Sequence, residues 1–255
     1  MVADDRPPRR SRRSVLRGLA GLGVGTSLPL AGCLDGGTRV SVLAAGSLQN
    51  ALADGLQSRT SADLAVEAHG SARAARMVVE GQRDPAILAL ADPQLFETLL
   101  GSPWYARFAS NAVVLAYNPT TAAGEAIGTA ERWLDPFLPG AEVPGGETMR
   151  VGRTDPELDP LGYRTLFALR LAADWYDRPA LPDRVLARSR RYPETQVLAR
   201  FDTGAVDAAF VYRNMAVERD YPFRSLPDAV DLSEPARSDA YGRVDYTFDD
   251  GTTVT

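Results

Sequence analysis

The sequence predicts an α/β fold of mostly parallel sheets flanked by helices, arranged in two parts. Three observations lead there. Between Arg39 and Leu99 short apolar strands alternate with helical stretches, the pattern of parallel strands joined by crossover helices. Ala86–Ala91 is a near-continuous apolar run, as expected of a strand buried on both faces. Two strands run out into Gly-Ser pairs, Gly46-Ser47 and Gly70-Ser71, at the carboxyl edge where such sheets bind ligands.

Taken in order, Val40, Val42 and Leu43 read as the first strand. Ala44–Gly46 have little side chain, so the backbone can turn tightly and let a ligand come close. A helix is expected from about Leu48 to Ser58. Leu64–Ala68 reads as the second strand, and Ser71 is placed to cap a helix running to Glu80, stopped by Gly81. After the strand Ala86–Ala91, Asp92 is an N-cap and Pro93 a first helical residue. Phe108–Tyr117 reads as a long strand crossing into a second part. There the spacing predicts a helix over Ala130–Leu138, a Pro/Gly loop over Pro139–Glu147 and a strand over Met149–Arg153. A turn-rich loop, Thr154–Gly162, leads to a helix from Tyr163 to about Tyr176. Val185–Arg191 and Glu194–Thr203 carry further helical pattern. Ala205–Tyr212 reads as a strand leading back to the first part, and Pro222–Leu232 as extended.

The N-terminal segment reads as something other than fold. Arg12-Arg13 opens a twin-arginine pattern, followed by an apolar run from Gly18 to Ala31 and then Leu30-Ala31-Gly32-Cys33. The run is short and Gly-rich against the roughly 20 apolar residues that span a bilayer. Residues 1–32 are therefore expected to be a twin-arginine lipoprotein signal. Cys33 is then the lipidated residue and 33–38 the linker; a plain signal peptide with an incidental Cys is the other reading. Cys33 is the only Cys, so no internal disulfide can form.

Charge narrows the function. Six of the 28 basic and two of the 33 acidic residues lie in Met1–Gly32, so the remainder carries 22 against 31, a net charge of −9. A body this acidic argues against nucleic acid, whose affinity comes from neutralising phosphates. Every basic residue outside the single His is Arg. That suits a high-salt environment, although GC-rich codon usage alone also removes Lys.

One Gly-Ser turn is usually a simple helix cap. Two on the edge of one sheet aim two hydroxyls and two helix N-termini at one place, which is a site for an oxyanion. Nucleophilic catalysis fares poorly. His69 is the only candidate base, it directly precedes Gly70-Ser71, and neither serine lies in a Gly-x-Ser-x-Gly elbow. No Cys/His cluster exists for zinc, and without Lys no Gly-x-x-x-x-Gly-Lys phosphate loop is possible. Asp155, Glu157 and Asp159 lack the glycine and distal glutamate of a calcium loop. They read more simply as a solvated turn, with Asp159 capping a helix and Pro160 at its first position.

Six motifs then fall in order: Ala44-Ala45-Gly46-Ser47-Leu48, His69-Gly70-Ser71, Ala91-Asp92, Gly152–Arg164, Arg191–Thr195 and Phe210-Val211-Tyr212. Together they resemble the archaeal-type molybdate/tungstate-binding protein of ABC importers, from Val40 to the chain end. The run Gly152-Arg153-Thr154-Asp155-Pro156 through Asp159-Pro160-Leu161-Gly162-Tyr163-Arg164 is the distinctive part. The resemblance implies a two-lobed type II periplasmic-binding-protein fold with the ligand cleft between lobes. Lobe I would cover 39–117 and lobe II 118–211, with 212–255 returning to lobe I and ending short of the family's pattern.

By the same resemblance the oxyanion contacts fall on Gly46, Ser47, Ser71, the Asp159-Pro160-Leu161 turn, Glu194 and Tyr212. Asp159 and Glu194 would reach the molybdenum or tungsten centre itself. Ile87 stands where the family often has Asp, Val211 where it often has Glu, and the stretch from Asp159 to Glu194 is short. The implied protein is a monomeric, non-enzymatic receptor held at the membrane by its lipid anchor alone. It would use no cofactor and would deliver molybdate or tungstate to an ABC permease and its ATPase. A receptor for sulfate or phosphate, and an exported enzyme with a serine nucleophile, are the competing readings.

Overall fold

The computed structural model describes residues 38–143, 146 and 148–255. The twin-arginine motif and Cys33 lie outside them. The described residues form two sheets and a small terminal hairpin.

The first sheet has β1 (Arg39–Ala45) at its centre, parallel to β2 (Asp63–His69) from Arg39↔Asp63 to Ala45↔His69. On the other side β1 pairs, again parallel, with β3 (Ile87–Ala89). Alternation along β1 sets the two faces. Leu43 points into the main core, whereas Val42 and Ala44 join Ala89 in a small separate cluster with Val40, Leu48, Leu52, Leu64 and Val66. That outer face is thinly covered. The helix expected over Leu48–Ser58 is instead a 3-10 turn (Gly46–Leu48), a π-helical stretch (Ala51–Leu56) and another 3-10 turn (Gln57–Arg59). Gly55 sits one residue from the end of the π-helical stretch and no side chain caps its start, so nothing local enforces α geometry. The expectation that Ala86–Ala91 is buried on both faces is also corrected: β3 is an edge strand and Ile87 is 47% exposed.

α1 (Ser71–Val79) follows β2 and buries Ala72, Ala74, Ala75 and Met77. Gly81, with φ +69°, turns the chain out of it. Asp92 Oδ1 accepts from Gln94 N–H at 2.9 Å just before α2 (Gln94–Thr98), but the N-cap is Pro93 and the helix begins at Gln94, one residue later than the sequence predicts.

The second sheet takes β4 (Val113–Tyr117), β5 (Val151–Arg153), β6 (Ser189–Arg191), β7 (Ala208–Tyr212) and β8 (Phe223–Ser225) in the order β6-β5-β7-β4-β8. β5 is parallel to both neighbours, and β4 is antiparallel to β7 and β8. β6 lies in a stretch whose pattern reads as helix. Its pairing with β5, which brings Arg153 opposite Arg191, overrides that local preference. The helix expected over Ala130–Leu138 is displaced to α3 (Ala122–Thr129), where the Thr121 hydroxyl accepts from Gly124 N–H at 3.1 Å. Residues 130–138 form irregular chain around one 3-10 turn, with Trp133, Leu134 and Phe137 buried in the main core.

α4 (Pro160–Trp175) is the longest helix among the described residues and passes behind this sheet with Leu161, Tyr163, Phe167, Ala168 and Leu169 buried. α5 (Leu181–Ala187), α6 (Ala199–Asp202), α7 (Arg213–Glu218) and α8 (Ser238–Tyr241) complete the helices. The hairpin β9 (Tyr246–Thr247) and β10 (Thr253–Val254) stacks Tyr246 on Tyr163, their ring centroids 6.1 Å apart. The α/β class is as the sequence predicts. Among the described residues no helix is long and apolar enough to cross a membrane.

Candidate functional site

The turn after β1 and the turn after β2 meet loops of the second sheet. At the first, Gly46 N–H donates to Glu194 Oε2 at 2.8 Å, and Ser47 adds its hydroxyl and N–H to the same carboxylate. A Cβ on residue 46 would sit 2.8 Å from that oxygen, so glycine is what lets the approach occur. The Ser47 carbonyl accepts from Asn214 Nδ2 at 2.7 Å, tying the turn to α7. At the second turn Gly70, not Ser71, is the N-cap of α1. The Ser71 hydroxyl instead accepts from Ala91 N–H at 3.0 Å, locking the helix start to the end of β3. That bond uses an oxygen lone pair and leaves the hydroxyl proton uncommitted. A Cβ on residue 70 would lie 2.4 Å from the Leu158 carbonyl and 2.7 Å from Asp159 Cβ, so the two sides pack backbone to backbone here.

Asp159 is 1% exposed and caps α4: its Oδ1 accepts from Gly162 N–H at 3.1 Å and from Thr154 Oγ1 at 2.8 Å. Pro160 and Leu161 fill the first turn of that helix and are buried. Glu194 is 3% exposed, and its Oε1 has no partner. Burial pushes the Glu194 carboxyl up to about 7, against the hydrogen bonds from Ser47 and Gly46. Burial first, and then the charge of Glu194, raise the Asp159 carboxyl well above the usual carboxylate range. Tyr212, at the end of β7, is 2% exposed, and its hydroxyl is likewise unpartnered. Its phenol is raised by burial, opposed by Arg164 and reinforced by Glu194, Asp92 and Asp159.

Two cavities open on this region. The smaller, about 210 Å³, is lined by Gly70, Arg73, Asp159, Arg191 and Glu194 among others. The larger, about 530 Å³, reaches Ser47, Ala91, Arg164 and Tyr212. The structure thus bonds Gly46 and Ser47 directly to Glu194. It sets Asp159 and Tyr212 in the same electrostatic field, and it engages Ser71 with Ala91.

Sequence reading missed Arg164. Its Nη2 lies 3.2 Å from Asp92 Oδ2, an oxygen that also accepts from Tyr163 O–H at 2.7 Å. The Asp92 carboxylate holds the half-buried guanidinium firmly in its charged form, against the cost of desolvation. The available signal was an Arg in the first turns of a helix otherwise apolar on its buried side; only the fold shows that Asp92 meets it.

The arrangement is one of donors and two carboxylates, with no reacting pair. His69 Nε2 is bonded to Glu67 Oε1 at 2.8 Å and Ser71 Oγ to Ala91 N–H, so among the described residues the imidazole is not paired with a serine. Among the described residues no group of three or more His, Cys, Asp or Glu is arranged to hold a metal ion.

The family described as bacterial extracellular solute-binding protein matches residues 40–243. A Haloferax volcanii protein provisionally named an ABC transporter molybdenum-binding protein is 54% identical over 257 residues, covering 100% of this chain and 82% of that protein. An uncharacterised solute-binding protein of Halobacterium salinarum is 38% identical, covering 96% of this chain and 79% of the relative. The molybdate/tungstate-binding protein WtpA of Thermococcus kodakarensis is 26% identical over 71% of this chain and 57% of its own length. The crystal structure of PEB3 with L-phospholactate bound superposes with TM-score 0.52 at 10% identity, over 80% of this chain and 90% of the other; the likeness is one of fold.

Proposed function

The chain belongs to the bacterial extracellular solute-binding protein family, and from that premise we propose that it captures molybdate or tungstate for an ABC importer. It is a binder and not an enzyme, and it works outside the cytoplasm, as its family does. The observation that carries the ligand class is the pair of buried, unpartnered polar atoms, Glu194 Oε1 and Tyr212 O–H, beside the Gly46 and Ser47 donors. Leaving such atoms unpaired costs about 1–3 kcal/mol each, so they mark a place that a polar ligand completes. The names of the Haloferax and Thermococcus relatives support molybdenum or tungsten in that place.

On this reading Gly46, Ser47, Ser71 and Tyr212 donate to the oxyanion. The Asp159-Pro160-Leu161 turn presents the start of α4, and Asp159 and Glu194 approach the metal centre. Molybdenum(VI) and tungsten(VI) are large enough to accept further oxygen ligands, whereas sulfur in sulfate is not. The same carboxylates therefore bond to the right ion and repel sulfate. The two sheets would be the cores of two lobes that close on the ligand. The oxyanion is cargo and no cofactor is used. The twin-arginine motif and Cys33 would export and anchor a monomeric receptor that docks on a permease with its ATPase.

Titration calorimetry with molybdate, tungstate, sulfate and phosphate tests this. Tight binding of the first two and weak binding of the others is expected. Equal affinity for sulfate or phosphate, or no binding of molybdate and tungstate, would overturn it.

A further inference from the structure

We propose that Arg73 and Arg191 form an outer oxyanion station at the mouth of the smaller cavity, where the dianion is captured before it reaches the buried carboxylates. The inference rests on the oxyanion reading above and adds a step to it.

The cavity has a floor and a rim of opposite character. Asp159 and Glu194, almost fully buried, line its depth, while Arg73 and Arg191 line it from exposed positions. The two arginines come from different sheets: Arg73 from the first turn of α1 after β2, Arg191 from the end of β6. Neither is committed to a strong partner. Among the described residues the Arg73 guanidinium makes no hydrogen bond or ion pair, and only its backbone N–H is used, by the Leu158 carbonyl. Arg191 reaches Asp155 only at 3.5 Å to either oxygen, the outer limit of a hydrogen bond. Positive charge is already crowded at this spot. The half-buried Arg153 beside Arg191 has its guanidinium depressed by desolvation and then by the Arg191 charge.

A dianion needs such a rim. The sequence outside Met1–Gly32 carries a net −9, so at long range the molecule repels its own cargo. Two exposed, weakly paired guanidinium groups over a low-dielectric cavity reverse that field locally. Each can fork onto two oxygens of a tetrahedral anion. An anion held between them also ties the α1 side to the β6 side.

The test is stopped-flow tungstate binding to the full chain, read by intrinsic fluorescence, for wild type, Arg73→Gln/Arg191→Gln and Arg73→Lys/Arg191→Lys. The double Gln variant should lose about tenfold or more in association rate with an unchanged dissociation rate, while the Lys pair keeps most of the rate. Added salt should slow wild type and leave the double Gln variant nearly unaffected. Wild-type association in the double Gln variant, or a loss expressed wholly in dissociation, would overturn the station while leaving the binding site intact. A wild-type chain that binds neither tungstate nor molybdate would overturn the functional reading itself.

Discussion

Replacing Glu194 by Gln separates what the carboxylate costs the fold from what it gives the ligand. The side chain is 3% exposed, and burial lifts it from 4.5 to about 7. A displacement of that size is worth about 3 kcal/mol. The sign follows from the raised value. The stabilising contribution is complete below the unfolded value near 4.5 and is lost as pH rises through about 7, because the folded state then has to bury a charge. Gln carries no such loss, and its amide oxygen can still accept from Gly46 N–H. Its NH2 takes the Oε1 position, which has no partner, and leaving that amide unsatisfied costs about 1 kcal/mol. Neutralising Glu194 also relieves Asp159, whose carboxyl is raised in part by the Glu194 charge, so the two gains are shared. Without ligand, Glu194→Gln should therefore be more stable than wild type by about 2 kcal/mol at pH 8 and no more stable at pH 4.5. Urea unfolding at both pH values, followed by fluorescence and circular dichroism, reads this directly. Equal stability at pH 8, or the same gain at both pH values, would refute the reasoning. If Glu194 offers that oxygen to the metal centre as proposed, the same variant should bind tungstate less tightly.

Gly70→Ala places a methyl group 2.4 Å from the Leu158 carbonyl and 2.7 Å from Asp159 Cβ, too close for either to give way cheaply. A cost of about 1–3 kcal/mol on that approach should weaken tungstate binding by roughly tenfold or more, and calorimetry showing normal affinity would mean that this contact is absent from the bound state. Cys33→Ser should leave the exported protein unanchored or unprocessed, and unchanged processing and membrane fractionation of that variant would remove the lipid-anchor proposal.

What was legible in the sequence was what local chemistry dictates. Asp159-Pro160 announces a helix start because an Asp oxygen can take the Gly162 N–H and proline needs no acceptor there. Gly46 and Gly70 stand out because they follow strands in a parallel sheet, and the structure shows backbone or a carboxylate pressed against each. What was not legible depends on partners far away in the chain. The Ser71 hydroxyl could cap its own helix, yet it goes to Ala91, which β3 delivers beside it. Gly46 and Glu194 are 148 positions apart, and no periodicity joins them. β6 has a helical pattern and becomes a strand because β5 offers it a free edge. Arg164 looks like a surface residue of a helix until the Asp92 carboxylate is brought to it through the fold.

The Glu194 bond also bears on how the proposed site would tell one oxyanion from another. In this structure the donors of the first turn, Gly46 N–H and Ser47, are taken by a carboxylate from the second sheet. A carboxylate and a tetrahedral oxyanion compete for the same kind of donor. An incoming dianion therefore has to share those donors with Glu194 or displace it, and either outcome puts negative oxygen next to negative oxygen. At low effective dielectric that repulsion costs several kcal/mol unless something offsets it. For sulfate or phosphate the carboxylates offer no bond in return, since the central atom accepts no further ligand. For molybdate or tungstate the free Glu194 oxygen can bond to the metal centre, with Asp159 beside it. On this reading the contact that holds the first-turn donors is also the one that a correct ligand converts from a competitor into a bond. Selectivity then needs no further residue than the two carboxylates already buried there.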